Sequence, residues 1–182
     1  MSVLTTKNTT DSSPQGDSVT LRRPLAADGR EIWQLVSDSG VLDLNSSYCY
    51  LMMCEFFPAT CVVAEEDGRC VGFATCFIDP KREDRLFVWQ VGVAAEQRGK
   101  GLASRMLLEV LRRPENRQAR FVEATIGPSN KASLALFTGL ARRYGTEIRQ
   151  QGGFTPEMFP GAGHEAEDLY IIGPFDAANP EA

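Results

Sequence analysis

Val91-Gly92-Val93-Ala94-Ala95-Glu96-Gln97-Arg98-Gly99-Lys100-Gly101-Leu102-Ala103 is the stretch on which the fold turns. The run that leads into it, Leu86-Phe-Val-Trp-Gln-Val-Gly-Val93, is apolar on both faces, as a central strand of a sheet must be. Leu102, Met106 and Val110 follow at helical spacing and predict an amphipathic helix. A central strand therefore ends, a short loop follows, and a glycine-rich turn opens a helix. Helix N-termini leave amide N–H groups unpaired and carry a partial positive charge. Gly99 and Gly101 have no side chain to block approach, and Arg98 and Lys100 add charge, so a diphosphate fits against successive amides here. Lys-Ser/Thr is absent after the second glycine, which excludes a Walker loop, and GxGxxG is absent, which excludes a dinucleotide fingerprint. The plainer reading is an ordinary tight turn with solvated basic residues.

Working outward, Arg120–Ile126 reads as a second strand ending in Gly127-Pro128-Ser129-Asn130. Leu134, Phe137, Leu140 or Ala141, and Tyr144 then mark a helix. Strand, helix, strand, helix implies a parallel pair with a right-handed crossover. Upstream, Val19–Arg23 reads as a strand. Asp28-x-x-Glu31 resembles a capping box for a helix that Gly40 stops. A second helix is expected from Asn45 or Ser46, with Tyr48, Leu51, Met52 and Phe56 on one side and Pro58 at its end. Two β-rich runs around Asp67-Gly68 predict a hairpin. Downstream, strands are expected near 147–154 and from Asp168 to Ile172. The fold class expected is α/β, a mixed and mostly antiparallel sheet with one central parallel pair. The domain spans 19–175, with tails at 1–18 and 176–182.

The 182 residues are 43% apolar and 24% charged, the composition of one globular domain. A net charge of −5 argues against nucleic acid as a partner, because phosphate binding needs a basic surplus. No run approaches the ~18 apolar residues of a membrane span, so no membrane partner is expected. The first 18 residues lack a secretory h-region. Cysteines 49, 54, 61, 70 and 76 are odd in number and without CxxC spacing, which reads as reduced thiols in a cytoplasmic protein. His164 is the only histidine, and no metal site is expected.

The Arg98–Ala103 turn, in this order of elements, resembles the acetyl-coenzyme A loop of the GNAT acetyltransferase superfamily, over about residues 19–175. The resemblance implies a GNAT fold whose parallel strands splay, with the coenzyme's pantetheine arm in the gap. Gln90, Val91, Gly92 and Val93 would run beside that arm, and a backbone N–H near Gly92 or Val93 would polarise the thioester carbonyl. Arg98, Gly99, Lys100, Gly101, Leu102 and Ala103 would hold the pyrophosphate. Asn130 and Ser133 would make polar contacts to the arm. Two positions depart from the family pattern: Glu96 stands where Gln or Arg is common, and Phe137 stands where many members carry a tyrosine acid. Asp43–Tyr50, Phe87–Val91, Arg98–Ala103, Thr125–Ser133 and Gly163–Tyr170 together resemble the L-2,4-diaminobutyrate acetyltransferases of bacterial ectoine biosynthesis. That implies acetyl transfer to the 4-amino group of a diamino acid by an enzyme that forms a homodimer. Two rivals stay open: a GNAT enzyme for another amine (a polyamine, an aminoglycoside or a protein N-terminus), and a silent acyl-CoA-sensing module, for which the missing tyrosine is the support.

An alkyl amine with a pKa near ~10 arrives protonated, so the site needs a proton acceptor or a water path. Glu123 lies in Phe-Val-Glu-Ala-Thr-Ile and shares a strand face with Thr125. It is either an ion-paired or solvated residue, or the base and amine-binding carboxylate. Asp43, Asn45, Ser46 and Ser47 lie between the first two helices, where the fold borders its acceptor. Asn45 or Ser46 could simply cap the second helix, but a cap would not require Asp43. Trp89 is either core or a wall of the acceptor site. His164, beside Glu165, is either a solvated histidine or part of a substrate lid.

Overall fold

The computed structural model describes residues 19–161 and 163–177, so the N-terminal tail and residues 178–182 lie outside the described residues. In chain order the elements are β1 (Thr20–Arg22), α1 (Asp28–Ser39), α2 (Ser47–Phe56), β2 (Val62–Glu66), β3 (Arg69–Asp79) and β4 (Arg82–Val93). They continue with α3 (Leu102–Arg112), β5 (Phe121–Ile126), α4 (Lys131–Arg143), β6 (Ile148–Phe154) and β7 (Glu167–Ile172). The strands form one seven-stranded sheet in the order β1-β2-β3-β4-β5-β7-β6. Only β4 and β5 run parallel; every other pairing is antiparallel.

Alternation along each strand sorts side chains to two faces. Val62, Ala74, Leu86, Val88, Val122 and Ala124 pack beneath Met106, Leu107, Val110 and Leu111 of α3 and Phe137 and Leu140 of α4. On the opposite face, Val63 and Phe73 pack against Ile32 and Val36 of α1 and Tyr50 and Cys54 of α2. A Cβ at Gly92 would overlap the Phe73 ring, so this position of β4 must be glycine for α1 and α2 to sit as they do. The Asp67-Gly68 hairpin forms as expected, with both residues left-handed at φ 50° and 75°. Burial pushes all five thiols up in pKa, those of Cys54 and Cys70 to about 12, and every cysteine is free.

Three local expectations are corrected. Residues 28–31 form no capping box: Asp28 lies inside α1, accepts from Leu25 N–H at 2.6 Å and pairs with Arg22, while Glu31 accepts from Cys70 N–H. The helix α2 buries Tyr50, Met53 and Cys54, whereas Tyr48 and Phe56 are exposed. This helix is apolar nearly all round, so periodicity could not select its inner face. Finally, Ala177 is buried in the main core, so packing continues two residues past the expected end of the domain.

The sequence gives no hint of the clamp between α3 and the α2–β2 connection. Arg113 is buried, and its Nη1 donates to the carbonyls of Pro58, Ala59 and Cys61 at 3.0, 3.1 and 2.7 Å. Asn116 donates to Ala59 O and Val110 O. Burial lowers the Arg113 pKa, and three carbonyl acceptors offset part of the cost of holding the guanidinium there.

Candidate active site

The parallel pair is short. Arg85, Leu86 and Phe87 pair with Phe121, Val122 and Glu123, and beyond that point β5 pairs only with β7. The upper half of β4 pairs only with β3, so the two strands diverge and leave β4 with an open edge. A β-bulge at Trp89 sits where the divergence begins: Cys76 faces Val88 and Thr75 faces Gln90, leaving Trp89 as the extra residue. The Ala94 N–H donates to Val71 O at 2.9 Å. Antiparallel ladders alternate, so Gly92 and Gln90 also direct their backbone groups to β3, while Val91 and Val93 direct theirs into the cleft. Of the N–H groups expected near Gly92 or Val93, that of Gly92 is turned to β3, and those of Val91 and Val93 face the cleft.

At the top of this edge lies the turn. Gly99 and Gly101 are left-handed at φ 77° and 75°, and nothing lies within 4 Å of a Cβ built on either. The first backbone bond of α3 runs from Arg105 N–H to Gly101 O at 3.1 Å, so the amides of Leu102, Ala103 and Ser104 stand ahead of the helical ladder. The Leu102 side chain is core, and only its backbone can meet a ligand. Arg98, Gly99 and Lys100 are exposed, and Arg98 Nε donates to Val93 O at 3.2 Å. Asn130 caps α4, its Oδ1 accepting from Ser133 N–H at 3.0 Å, which leaves its amide nitrogen for a ligand. Gln90 spends its side chain elsewhere: Nε2 donates to Asp43 O, and Oε1 accepts from the Tyr50 hydroxyl. Phe137 is buried in the main core.

Below the open edge, on the face of α1 and α2, a cavity of about 380 Å³ is lined by Phe77, Phe87, Phe154, Leu169, Arg82, Asp79, Glu123 and Thr125. A hollow of about 450 Å³ between α1 and residues 93–98 holds none of the acceptor-site residues expected from the sequence, whereas the smaller cavity holds Glu123 and Thr125. Glu123 is 1% exposed. Arg82 Nη2 donates to its Oε2 at 2.9 Å, and Arg85 Nη1 donates to Oε1. Both oxygens of Glu123 are thus covered by guanidinium groups at the last paired position of β4 and β5. This is the ion-paired reading of that residue, which also lines the cavity.

The carboxylate that the sequence reading missed is Glu167. It lies at the start of β7, half-buried, hydrogen-bonded to Thr125 and within the field of the His164, Asp43 and Glu165 charges. Burial raises its pKa, and the Asp43 and Glu165 charges push it the same way. Three acids in Glu165-Ala-Glu-Asp168 were its only sequence signal. His164 stacks on Phe159 at 3.7 Å between centroids, and Glu165 accepts from Ser129 N–H at 3.1 Å. The loop before β7 is thereby tied to the turn before α4. Thr125 acts on Glu167 through a hydrogen bond, and His164 and Asp43 act on it through their charge. Asn45 is half-buried with its amide on Asp43 O, Ser46 precedes α2 without a side-chain cap bond, and Trp89 stacks on Tyr50 rather than joining that cluster. Among the described residues no group of His, Cys, Asp and Glu could hold a metal ion, and no helix is long and apolar enough to cross a membrane.

The comparisons fit this geometry. The acetyltransferase (GNAT) family model matches residues 30–140. The L-2,4-diaminobutyric acid acetyltransferase of Marinococcus halophilus is 52% identical over 159 residues, covering 87% of this chain and 92% of that protein. That of Nocardia farcinica is 45% identical over 154 residues, covering 85% and 79%. The structure of diaminobutyrate acetyltransferase EctA from Paenibacillus lautus, in complex with L-2,4-diaminobutyric acid and coenzyme A, superposes with a TM-score of 0.85. It is 44% identical and covers 88% of this chain and 97% of that one. A splayed parallel pair, a glycine turn at the head of α3 and matches of this length have one meaning: the chain belongs to the GNAT acetyltransferase family.

Proposed function

We propose that the protein transfers the acetyl group of acetyl-coenzyme A to the 4-amino group of L-2,4-diaminobutyrate, releasing N4-acetyl-L-2,4-diaminobutyrate. The observation that carries the choice of acceptor is the likeness, over most of the chain, to a structure that holds this diamino acid with coenzyme A. The cleft suits both molecules. Left-handed Gly99 and Gly101 leave open space beside the first amides of α3, where a pyrophosphate fits, and the free edge of β4 suits an extended pantetheine arm. Acetyl-coenzyme A supplies the acetyl group as an activated thioester.

The chain's own residues do the rest. The acceptor arrives as an ammonium ion, and Asp43, Glu165 and Glu167 set a negative field where it enters. Glu167 takes the ammonium proton, a task that suits a carboxylate raised by burial toward working pH. Val91 or Val93 N–H holds the carbonyl oxygen as negative charge grows on it. A C–N bond forms and the C–S bond breaks; the bonded nitrogen sheds its second proton, which passes through water to the departing coenzyme A thiolate, and Glu167 returns the first proton to solvent. Ion-paired Glu123 braces the site without exchanging a proton. A thiol-release assay with acetyl-coenzyme A over diaminobutyrate, spermidine and an aminoglycoside tests the reading. Diaminobutyrate is expected to give the highest kcat/KM, and silence with all three acceptors would leave only an acyl-CoA-sensing role.

Both amines lie on one short chain, so polar contacts must hold the amino-acid end. Asp43, exposed at the rim and anchored through its own carbonyl, is the group for the 2-ammonium. Loss of a charge-assisted contact costs ~1.5–3 kcal/mol, or roughly ten- to a hundredfold. Asp43→Ala is therefore expected to raise KM for diaminobutyrate by that factor, leave KM for acetyl-coenzyme A intact, and let the 2-acetyl isomer appear. NMR of the product reads the isomer ratio, and a mutant with wild-type KM and only the 4-acetyl isomer would make Asp43 structural.

The reading also includes a cytoplasmic homodimer. Exposed Phe154 and Met158 beside the free edge strand β6 support a second copy, and five free thiols support a reducing compartment. Light scattering on the purified chain measures the mass directly, and a monomer at micromolar concentration would remove the dimer.

A further inference from the structure

From the contacts of α2 we infer that the Tyr50 hydroxyl is a positioning group that locks the acceptor loop, residues 43–46, to the coenzyme-facing strand β4. The inference rests on the acceptor reading above. Tyr50 is 0% exposed and lies in a helix otherwise rich in apolar side chains, where a phenylalanine would fill the same space. A buried hydroxyl is costly unless it is paired, so its partners show what it does.

The pairing is fixed by chemistry. Gln90 Nε2 lies 2.9 Å from Asp43 O, a carbonyl that can only accept. The other end of the amide must then present Oε1, which lies 2.9 Å from the Tyr50 oxygen, so the hydroxyl donates to it. The lone pairs left on that oxygen face Asn45 N–H at 3.5 Å. One phenol thus ties both ends of Asp43-Leu-Asn45, one through Gln90 and the other directly. Gln90 is itself held in register, its carbonyl accepting from Thr75 Oγ1 at 3.2 Å. It lies between the Trp89 bulge and Val91, whose backbone turns into the cleft. The strand that presents the thioester-binding N–H and the loop that presents Asp43 are therefore joined through three hydrogen bonds, one directly from Gln90 and two through the Tyr50 hydroxyl. The Tyr50 ring adds a stacked contact to Trp89 at 6.1 Å and an edge contact to Phe73 at 6.3 Å, and both survive removal of the hydroxyl.

The consequence is regiochemical. Asp43 can select the 4-amine only if its distance from the thioester is fixed, and the Tyr50–Gln90 link sets that distance. Tyr50→Phe removes the phenol's two hydrogen bonds, to Gln90 and to Asn45 N–H, and leaves the Gln90 Nε2–Asp43 O bond without the partner that orients its amide. Loss of one buried hydrogen bond of this kind is expected to raise KM for diaminobutyrate roughly five- to tenfold. KM for acetyl-coenzyme A stays at its wild-type value, and 2-acetyl product appears. Gln90→Leu breaks the link from its other side, and the double variant should be no worse than the poorer single one, because the two residues act as one unit.

Amide hydrogen exchange on the full chain provides an arm that needs no substrate. In Tyr50→Phe, peptides covering 41–47 are expected to exchange faster, while those of β4 and β5 keep their protection. Unchanged exchange in 41–47 would overturn the inference, and so would KM values for both substrates rising together. A wild-type protein that does not acetylate diaminobutyrate would remove the acceptor reading instead, and the exchange arm would still decide whether Tyr50 holds the loop.

Discussion

Glu167→Gln is expected to lower kcat for diaminobutyrate by ~10²-fold or more, the usual loss when a general base is removed, with KM for acetyl-coenzyme A nearly unchanged. The reason is position and environment together. Glu167 is half-buried, shares a hydrogen bond with Thr125 and lies within the field of the Asp43 and Glu165 charges, and burial is the main cause that holds its pKa above the ordinary glutamate range of about 4.3. A base must be deprotonated to act, so kcat/KM rises with pH through that elevated value. The rising limb should be absent from the Gln variant, leaving only the slope due to the substrate amine near pH ~10. Glu123→Gln separates the two carboxylates. It strands Arg82 and Arg85 around a buried amide, and its main effect is expected on thermal unfolding, up to the ~3–5 kcal/mol of a broken buried pair, and smaller because Arg82 is partly exposed. Its pH profile keeps the wild-type rising limb. The opposite pattern, with the limb lost in Glu123→Gln and kept in Glu167→Gln, would return the base role to Glu123.

Gly101→Val is expected to weaken acetyl-coenzyme A binding by ~10- to 100-fold, because its side chain would stand where the pyrophosphate is expected to meet the amides of α3; the β-branched residue at φ 75° also costs the fold about 1–3 kcal/mol, with or without coenzyme. Among the described residues nothing beyond the chain neighbours lies within 4 Å of that Cβ, so no packing clash adds to the backbone strain. Lys100→Ala removes one exposed charge and should cost less than ~1 kcal/mol, a few-fold at most. Calorimetry with coenzyme A gives both numbers. Equal and small effects would mean that the helix terminus does not hold the pyrophosphate.

The elements around the turn at residues 98–101 were legible because each carries a local signal. The Asp67-Gly68 hairpin, the doubly apolar β4, and the helices opened by Gly101 and Asn130 follow from turn chemistry and periodicity. The inner face of α2 was not legible, since a helix apolar all round has no preferred side. The place of β7 between β5 and β6 is a long-range pairing with no local signal. Among the residues expected at the site, Gly99, Gly101 and Asn130 carry local signals that match their backbone roles, two left-handed turn positions and a helix cap. Glu123 drew notice as a charge in an apolar strand, but the guanidinium groups that cover it come from Arg82 and Arg85, and the arginines around it in sequence gave no sign of which would pair. Glu167 carried no local signal because its burial, its hydrogen bond to Thr125 and the charge of Asp43 acting on it arise only in the fold.

The most direct test of the central claim is the structure of the product. Incubating the purified protein with acetyl-coenzyme A and L-2,4-diaminobutyrate should release one thiol per acetyl transferred. A two-dimensional proton–carbon NMR spectrum should show the acetyl carbonyl coupled to the terminal methylene, which marks the 4-acetyl isomer as the sole product. A carbonyl coupled to the α-methine, or thiol release without any acetylated amine, would contradict the account.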